Sequence, residues 1–201
     1  MQDRLLSPFL LGCLATGWSA GVFAAAPVAS AEQPLWLLEQ PQPGNPMQTA
    51  RLPGLASVLP YQSPATLMLS CHPGARTLGL ELQIAATELG FAVDAFEGPD
   101  ATAHGPLRLA LGAQAGHRYA VNGAFRQAGR YQVGTVFAFG MTPAAADLTA
   151  WMSDAARGET LRLSLSAAEP GQPALTGEFR LPGDPAGLRQ ALSPCLTVAT
   201  P

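Results

Sequence analysis

The three histidines of this 201-residue chain, His72, His104 and His117, are its main candidates for metal binding or acid–base chemistry. A transition-metal site made from them would need Asp100 as a further ligand, but the sequence contains no H-x-H or H-x-x-x-H pair. A serine triad would place one histidine between an acid and a serine. The only G-x-S-x-G motif spans residues 17–21, which belong to a predicted leader. These patterns favour solvated loop histidines.

Carboxylates cluster at Asp94, Glu97 and Asp100, and paired carboxylates are the catalytic groups of glycosidases. The adjacent Gly98-Pro99 predicts an exposed loop, in which these side chains stay ionised. All 11 basic residues are arginines, and the absence of lysine excludes Schiff-base chemistry and a Walker phosphate site. We therefore expect a protein with no enzymatic activity and no cofactor.

Cations and aromatic residues alternate around a predicted two-residue hairpin turn at Asn122-Gly123. Guanidinium groups beside aromatic rings can bind an anionic protein, a glycan or a lipid headgroup. Solvated strand faces explain the same pattern, so both interpretations stay open. The formal net charge of −3 argues against a nucleic acid partner. The candidate partner-binding residues are Arg118, Arg126, Arg130 and Tyr131, with His117, Tyr119 and Phe125 interleaved among them.

Residues 1–31 have the pattern of a secretory signal peptide. An apolar stretch over residues 5–23 leads to Ala29-Ser30-Ala31, which predicts cleavage after Ala31. A lipoprotein anchored through Cys13 and an uncleaved membrane helix are the alternatives. No later segment is apolar enough to predict a stable membrane span. We expect a periplasmic or secreted protein whose partner is a protein of the cell envelope.

Two cysteines, Cys71 and Cys195, remain once the leader is removed. In an oxidising compartment they are expected to form a disulfide. A bridge that closes so long a loop restricts the unfolded chain by roughly 5 kcal/mol in the entropic model. The alternatives are two buried thiols or a catalytic thiol, although His72, adjacent in a strand, would point to the opposite face.

The apolar pattern divides the exported chain into two parts. Residues 32–62 are rich in proline and predict an irregular arm, whose apolar patch at Leu35–Leu38 either docks as an edge strand or binds a partner. Residues 63–198 predict a single domain of alternating strands, with one amphipathic helix at about 143–156 and a short C-terminal helix over 184–192. Strands at hairpin spacing predict a mainly β fold, an antiparallel β-sandwich or barrel-like domain.

The segment Ser63-Pro64-Ala65-Thr66-Leu67-Met68-Leu69-Ser70-Cys71, followed by an alternating strand, resembles the beginning of the domain in VasI-like proteins, which are encoded with bacterial type VI secretion systems. The later order is also similar: a helix through Trp151-Met152, strands at 158–163 and 177–181, and a final turn to Cys195. The resemblance covers residues 63–195. It implies a periplasmic accessory protein of a secretion apparatus, without enzymatic activity, and it transfers no catalytic residue.

Two binding functions and one enzymatic function follow as hypotheses. The first is a periplasmic accessory or protein-binding module associated with type VI secretion, acting through an exposed strand edge or the arginine-rich hairpin. The second is an immunity or inhibitor protein against a cell-wall-degrading enzyme, for which a protruding loop on a disulfide-linked scaffold is suited. The third, a periplasmic hydrolase, requires a histidine to meet a carboxylate or a serine in a concave pocket.

Overall fold

The computed structural model describes residues 34–39, 44–98, 101, 105–128 and 134–196. The predicted signal peptide and Cys13 lie outside these ranges, as do Asp100, His104, Arg130 and Tyr131. Three helices are described, α1 (Ala86–Leu89), α2 (Ala145–Trp151) and α3 (Ala186–Leu196). The described strands are β1 (Leu37–Glu39), β2 (Gln48–Val58), β3 (Tyr61–His72), β4 (Thr77–Ile84), β5 (Leu107–Leu111), β6 (His117–Tyr119), β7 (Asn122–Gln127), β8 (Thr135–Met141), β9 (Thr160–Leu165) and β10 (Leu175–Arg180).

The described strands form one antiparallel sheet in the order β6-β5-β9-β10-β2-β3-β4-β8-β7, and β1 also pairs with β2. The strands at the two ends of this order are consecutive in the chain, since β6 ends at Tyr119 and β7 begins at Asn122. Three residue steps span at most about 11 Å, so the sheet must curl until its two edges are close. This confirms the prediction of a mainly β, barrel-like antiparallel domain.

The core lies on the inner face of the curled sheet. Alternate strand positions supply its side chains, because successive residues of a strand point to opposite faces. Helices α2 and α3 add Leu148 and Leu188, which are fully buried. An aromatic group with ring centroids 4.7–6.3 Å apart fills one side of this core and consists of Phe91, Phe96, Phe137 and Phe139.

The predicted disulfide between Cys71 and Cys195 is confirmed. It joins the end of β3, a central strand of the sheet, to α3 across a sequence separation of 124 residues. Cys71 is fully buried, and α3 packs against β2 and β3. The bridge therefore fixes the last described helix on the inner face of the sheet.

Residues 48–58 form the central strand β2, although their proline content predicts irregular chain. The arm interpretation of residues 32–62 is therefore wrong for this segment. Pro53 is tolerated because it lies between Arg51, where pairing with β1 ends, and Leu55, where pairing with β10 begins. On that side of β2 no strand requires the N–H that proline lacks.

The apolar patch at Leu35–Leu38 docks on the domain, as one of the two alternatives predicts. Leu37 and Leu38 belong to β1, which pairs with β2. Trp36 packs against α3, where Gly187 leaves room for it, because a Cβ at Gly187 would lie 2.8 Å from the Trp36 Cβ. The core therefore begins before the domain boundary predicted at residue 63.

Asn122 and Gly123 lie inside β7, so the predicted hairpin turn is wrong. β6 pairs with β5, whereas β7 pairs with β8. Residues 129–133, which separate β7 from β8 in the sequence, lie outside the described ranges. A Cβ at Gly123 would lie 2.2 Å from Cε1 of Phe137. The glycine is thus explained by close packing with a ring of the core and not by a turn.

The helical elements differ from their predicted lengths. In place of one helix over 143–156, α2 ends at Trp151 and a 3-10 turn covers Asp154–Ala156. The C-terminal helix α3 extends to Leu196, past the predicted end at residue 192, and includes Pro194. Within the described ranges, none of the helices combines the length and apolar composition needed to cross a bilayer.

Candidate functional site

Exposed apolar side chains concentrate at the tip of the β2–β3 hairpin. Among the described residues, two of the five exposed large hydrophobics lie at its turn, Leu59 at 80% exposure and Tyr61 at 60%. A third, Leu55, lies on β2 and points to the face opposite Tyr61, because Tyr61 pairs with Val58 and successive residues of a strand alternate between faces. Single exposed hydrophobics are ordinary, but neighbouring ones of this size form a patch that favours contact with another molecule. We call Leu59 and Tyr61 the hairpin tip.

The hairpin that carries this tip is held in one geometry. β2 and β3 pair in continuous register from Gln48 and Cys71 to Val58 and Tyr61. The disulfide fixes one end of β3. β4 pairs with β3 only as far as Ala65, so the residues of β3 that precede Ala65 extend past the end of β4. A binding surface with a fixed backbone loses little conformational entropy when a partner docks.

His117 meets a carboxylate, which is one requirement of the hydrolase hypothesis. Its Nδ1 lies 2.6 Å from Oδ1 of Asp147 in α2, and the Tyr119 hydroxyl donates to the other carboxylate oxygen. In the described part of the chain, no serine or cysteine side chain is hydrogen-bonded to His117. His117 and Tyr119 are paired with Leu109 and Leu107, so both lie on the inner face. Asp147 thus ties the short edge strand β6 to α2.

The other candidate catalytic and metal-binding residues that the structure describes, His72, Asp94 and Glu97, are not brought together. His72 Nδ1 accepts a hydrogen bond from the backbone N–H of Ala75, 3.2 Å away, within a turn. Asp94 and Glu97 are exposed, as predicted, in and after a 3-10 turn. Over the ranges that the structure covers, no three His, Cys, Asp or Glu side chains are placed to hold a metal ion.

The structure places the predicted arginines on different strand pairs. Arg118 lies on β6 opposite Arg108 of β5, whereas Arg126 of β7 forms an ion pair with Glu81 of β4 at 3.1 Å. The interleaved Phe125 packs edge-to-face on Phe137, with ring centroids 5.1 Å apart. Partner binding by Arg118 and Arg126 stays a prediction. Arg130 and Tyr131 lie outside the described residues.

Arg126 belongs to a polar network across the outer face of the sheet that the sequence did not predict. Arg51 Nε and Nη2 donate to the two carboxylate oxygens of Glu39 at 2.9 and 3.2 Å. Its Nη1 donates to Oε1 of Gln83 at 3.1 Å, and the Gln83 amide donates to Glu81 at 3.3 Å. The network links β1, β2, β4 and β7. The one feature of the sequence that could have indicated this network is the presence of polar residues at outward strand positions.

The centre of this network is expected to contribute more to stability than its exposed end. The Arg51 side chain is 12% exposed and the Arg126 side chain is 55% exposed. We expect Arg51→Met to lower the free energy of unfolding by about 2 kcal/mol, because the Glu39 carboxylate and Oε1 of Gln83 lose the guanidinium that donates to them. Arg126→Met, the matched control, should cost less than about 1 kcal/mol. Urea denaturation measures both, and equal losses would contradict the assignment.

No family model, curated protein or solved structure matches this chain. The comparisons therefore add nothing to the assignment of the hairpin tip.

Proposed function

We propose that this chain is an exported binding module without enzymatic activity that docks on a protein of the cell envelope through the hairpin tip. The observation that carries the proposal is the exposure of Leu59 and Tyr61 on a rigid hairpin. Tyrosine is one of the side chains that carry most of the binding energy of protein interfaces, and burial of a leucine side chain by a partner adds apolar area removed from water. The ligand class is thus a protein with an apolar recess.

Three features support the cellular setting. The Cys71–Cys195 disulfide is compatible with an extracytoplasmic protein, because such bonds persist in oxidising compartments. The predicted signal peptide provides the route, and the resemblance to VasI-like proteins over residues 63–195 favours a periplasmic accessory role in type VI secretion. The protein recovered from a periplasmic extract should begin at Glu32. A mature mass that includes residues 1–31 would contradict export with cleavage.

An inhibitor or immunity protein against a cell-wall-degrading enzyme is the second candidate. The observation that favours it is the same hairpin, which extends past β4 and presents Leu59 at its turn. A rigid projecting loop can enter the cleft of an enzyme with little loss of entropy. The two candidates use one surface and differ in the protein that receives it.

Site-specific photocrosslinking distinguishes these candidates. A photoreactive amino acid at position 59 should form an adduct in cells that produce the protein, and mass spectrometry should identify the adduct. A component of a secretion apparatus supports the accessory role, and a cell-wall hydrolase supports the inhibitor role. The matched control is the same amino acid at position 47, because Met47 is also an exposed apolar residue. Equal adducts at both positions would overturn the proposal.

Substitutions at the hairpin tip should then weaken the identified complex. We expect the double variant Leu59→Ser/Tyr61→Ser to raise Kd at least about tenfold, since it removes two apolar anchors. Its melting temperature should change little, because both side chains are exposed. Met47→Ser is the control and should bind as the wild type does. Calorimetry with the purified partner measures the difference, and unchanged affinity in the double variant would contradict docking by this tip.

A further inference from the structure

A second surface, on the outward side of β5, β9 and β10, contains an open cavity of about 450 Å³. This volume lies within the range of small-ligand sites, about 300–1,000 Å³. Small residues, Ala110 and Gly116 among them, leave the space. Polar side chains surround it: Arg108, Arg162, Ser164, Thr176 and Glu178. None of these residues is part of the hairpin tip.

The strand register aligns the donors of this surface in one row. Arg118 of β6 pairs with Arg108 of β5, and Arg108 pairs with Ser164 of β9. Ser164 in turn pairs with Thr176 of β10. Directly paired side chains lie on the same face about 5 Å apart. Two guanidinium groups and two hydroxyl groups therefore follow one another across four strands.

The charges in this row are not balanced. Arg108 and Arg118 stand directly opposite each other, and like charges in such a pair destabilise a sheet. Within the described residues neither side chain forms an ion pair with a carboxylate. The adjacent Arg162 does, through Nε and Oε1 of Glu178 at 3.3 Å, and its Nη1 donates to the carbonyl of Gly112 at 3.0 Å. Counting only the described residues of the cavity and the row, three guanidinium groups stand against the one carboxylate of Glu178, which leaves an excess of positive charge.

We infer that a carboxylate or phosphate group is bound by Arg108 and Ser164, which line this cavity, together with Arg118, which does not line it but pairs directly with Arg108. A bound oxyanion removes the repulsion between the two arginines and accepts hydrogen bonds from both guanidinium groups, which match oxyanions in a bidentate geometry. The Ser164 hydroxyl supplies a further donor. The group belongs either to a free small molecule or to a phospholipid headgroup, since both present the same chemistry.

The test is a thermal-shift and calorimetric titration of the mature protein with inorganic phosphate and with citrate. Glucose is the uncharged control, and sodium chloride at the ionic strength of the phosphate and citrate solutions is the salt control. Vesicles of phosphatidylglycerol, compared with vesicles of phosphatidylcholine, test the headgroup as the source. We expect phosphate, citrate or the anionic vesicles to bind and to raise the melting temperature above the sodium chloride control. If the protein binds only the anionic vesicles, the source of the group is a lipid headgroup. If it binds phosphate or citrate, the source is a free small molecule.

Arg118→Glu is the decisive variant. It replaces a repulsive cross-strand pair by an attractive one, so we expect a melting temperature at or above that of the wild type without anions. The same variant should lose the anion-induced shift and raise Kd about tenfold or more. Arg76→Glu is the matched control, because Arg76 is an exposed arginine in the β3–β4 turn. The inference is overturned if no anion binds, if Arg118→Glu still binds, or if Arg76→Glu weakens binding equally.

Discussion

Replacing Cys71 and Cys195 together by alanine is expected to lower the free energy of unfolding by about 5 kcal/mol. The bridge spans 124 residues, so its loss releases a long loop in the unfolded chain. In the native state α3 then remains on the inner face only through side chains such as Leu188 and Leu192. A domain of this kind has a total stability of about 5–15 kcal/mol, so a large share depends on one bond. Denaturation in guanidinium chloride measures the difference.

The single variants provide the control for this prediction. Cys71→Ala and Cys195→Ala each abolish the bridge, so each should lose nearly as much stability as the double variant. Reduction of the wild-type protein should shift its unfolding midpoint by a similar amount. Cys71 is fully buried, and the small cavity that alanine leaves there adds less than the bridge itself. A double variant within about 1 kcal/mol of the wild type would show that the bridge contributes little.

Features that depend on one face of one strand could be predicted from the sequence. Leu78, Leu80, Leu82 and Ile84 alternate with smaller or polar residues, and they form the inner face of β4. Alternation identifies such strands because burial selects every second side chain. The disulfide was also predictable, since removal of the predicted leader leaves two of the three cysteines, which offer one intramolecular pair.

Features that depend on distant residues could not be predicted in the same way. Pro53 fits a central strand only because β1 and β10 leave a gap beside it on the same side of β2. In the sequence, β1 comes just before β2, whereas β10 lies near the other end of the chain. The Asn122-Gly123 pair has the local signature of a turn, yet the ring of Phe137 determines its role. Local propensity is a weak guide wherever tertiary packing sets the requirement.

The candidate site shows the same limit. Leu59 and Tyr61 are ordinary apolar residues in the sequence, and nothing in their neighbours separates them from core residues. Leu59 is exposed because it lies in the turn between β2 and β3, and Tyr61 is exposed because β4 pairs with β3 only as far as Ala65. The sequence does not distinguish Arg108 either, because its pairing with Arg118 depends on the β5–β6 register. A pattern of residue types cannot show which side chains of separate strands become neighbours.

Gly54→Ala is expected to lower the free energy of unfolding by about 3 kcal/mol, although it adds only one methyl group. A Cβ at this position would lie 2.4 Å from Cδ1 of Phe179 and 2.5 Å from the carbonyl oxygen of Glu178. Phe179 is fully buried, and the carbonyl belongs to the backbone of β10, so neither can move freely. The methyl group must therefore push β10 away from β2 at the centre of the sheet. Thermal and urea denaturation measure the loss.

Gly183→Ala is the matched control, because a Cβ there meets no atom within 4 Å, and it should change the stability by less than about 0.5 kcal/mol. A second substitution separates the two contacts of Gly54. If the ring of Phe179 causes part of the strain, Phe179→Leu should cost less in the Gly54→Ala background than in the wild type. Whatever loss remains reports the contact with the Glu178 carbonyl. A Gly54→Ala protein as stable as Gly183→Ala would show that β10 does not approach β2 this closely, and the order of strands at the centre of the sheet would need revision.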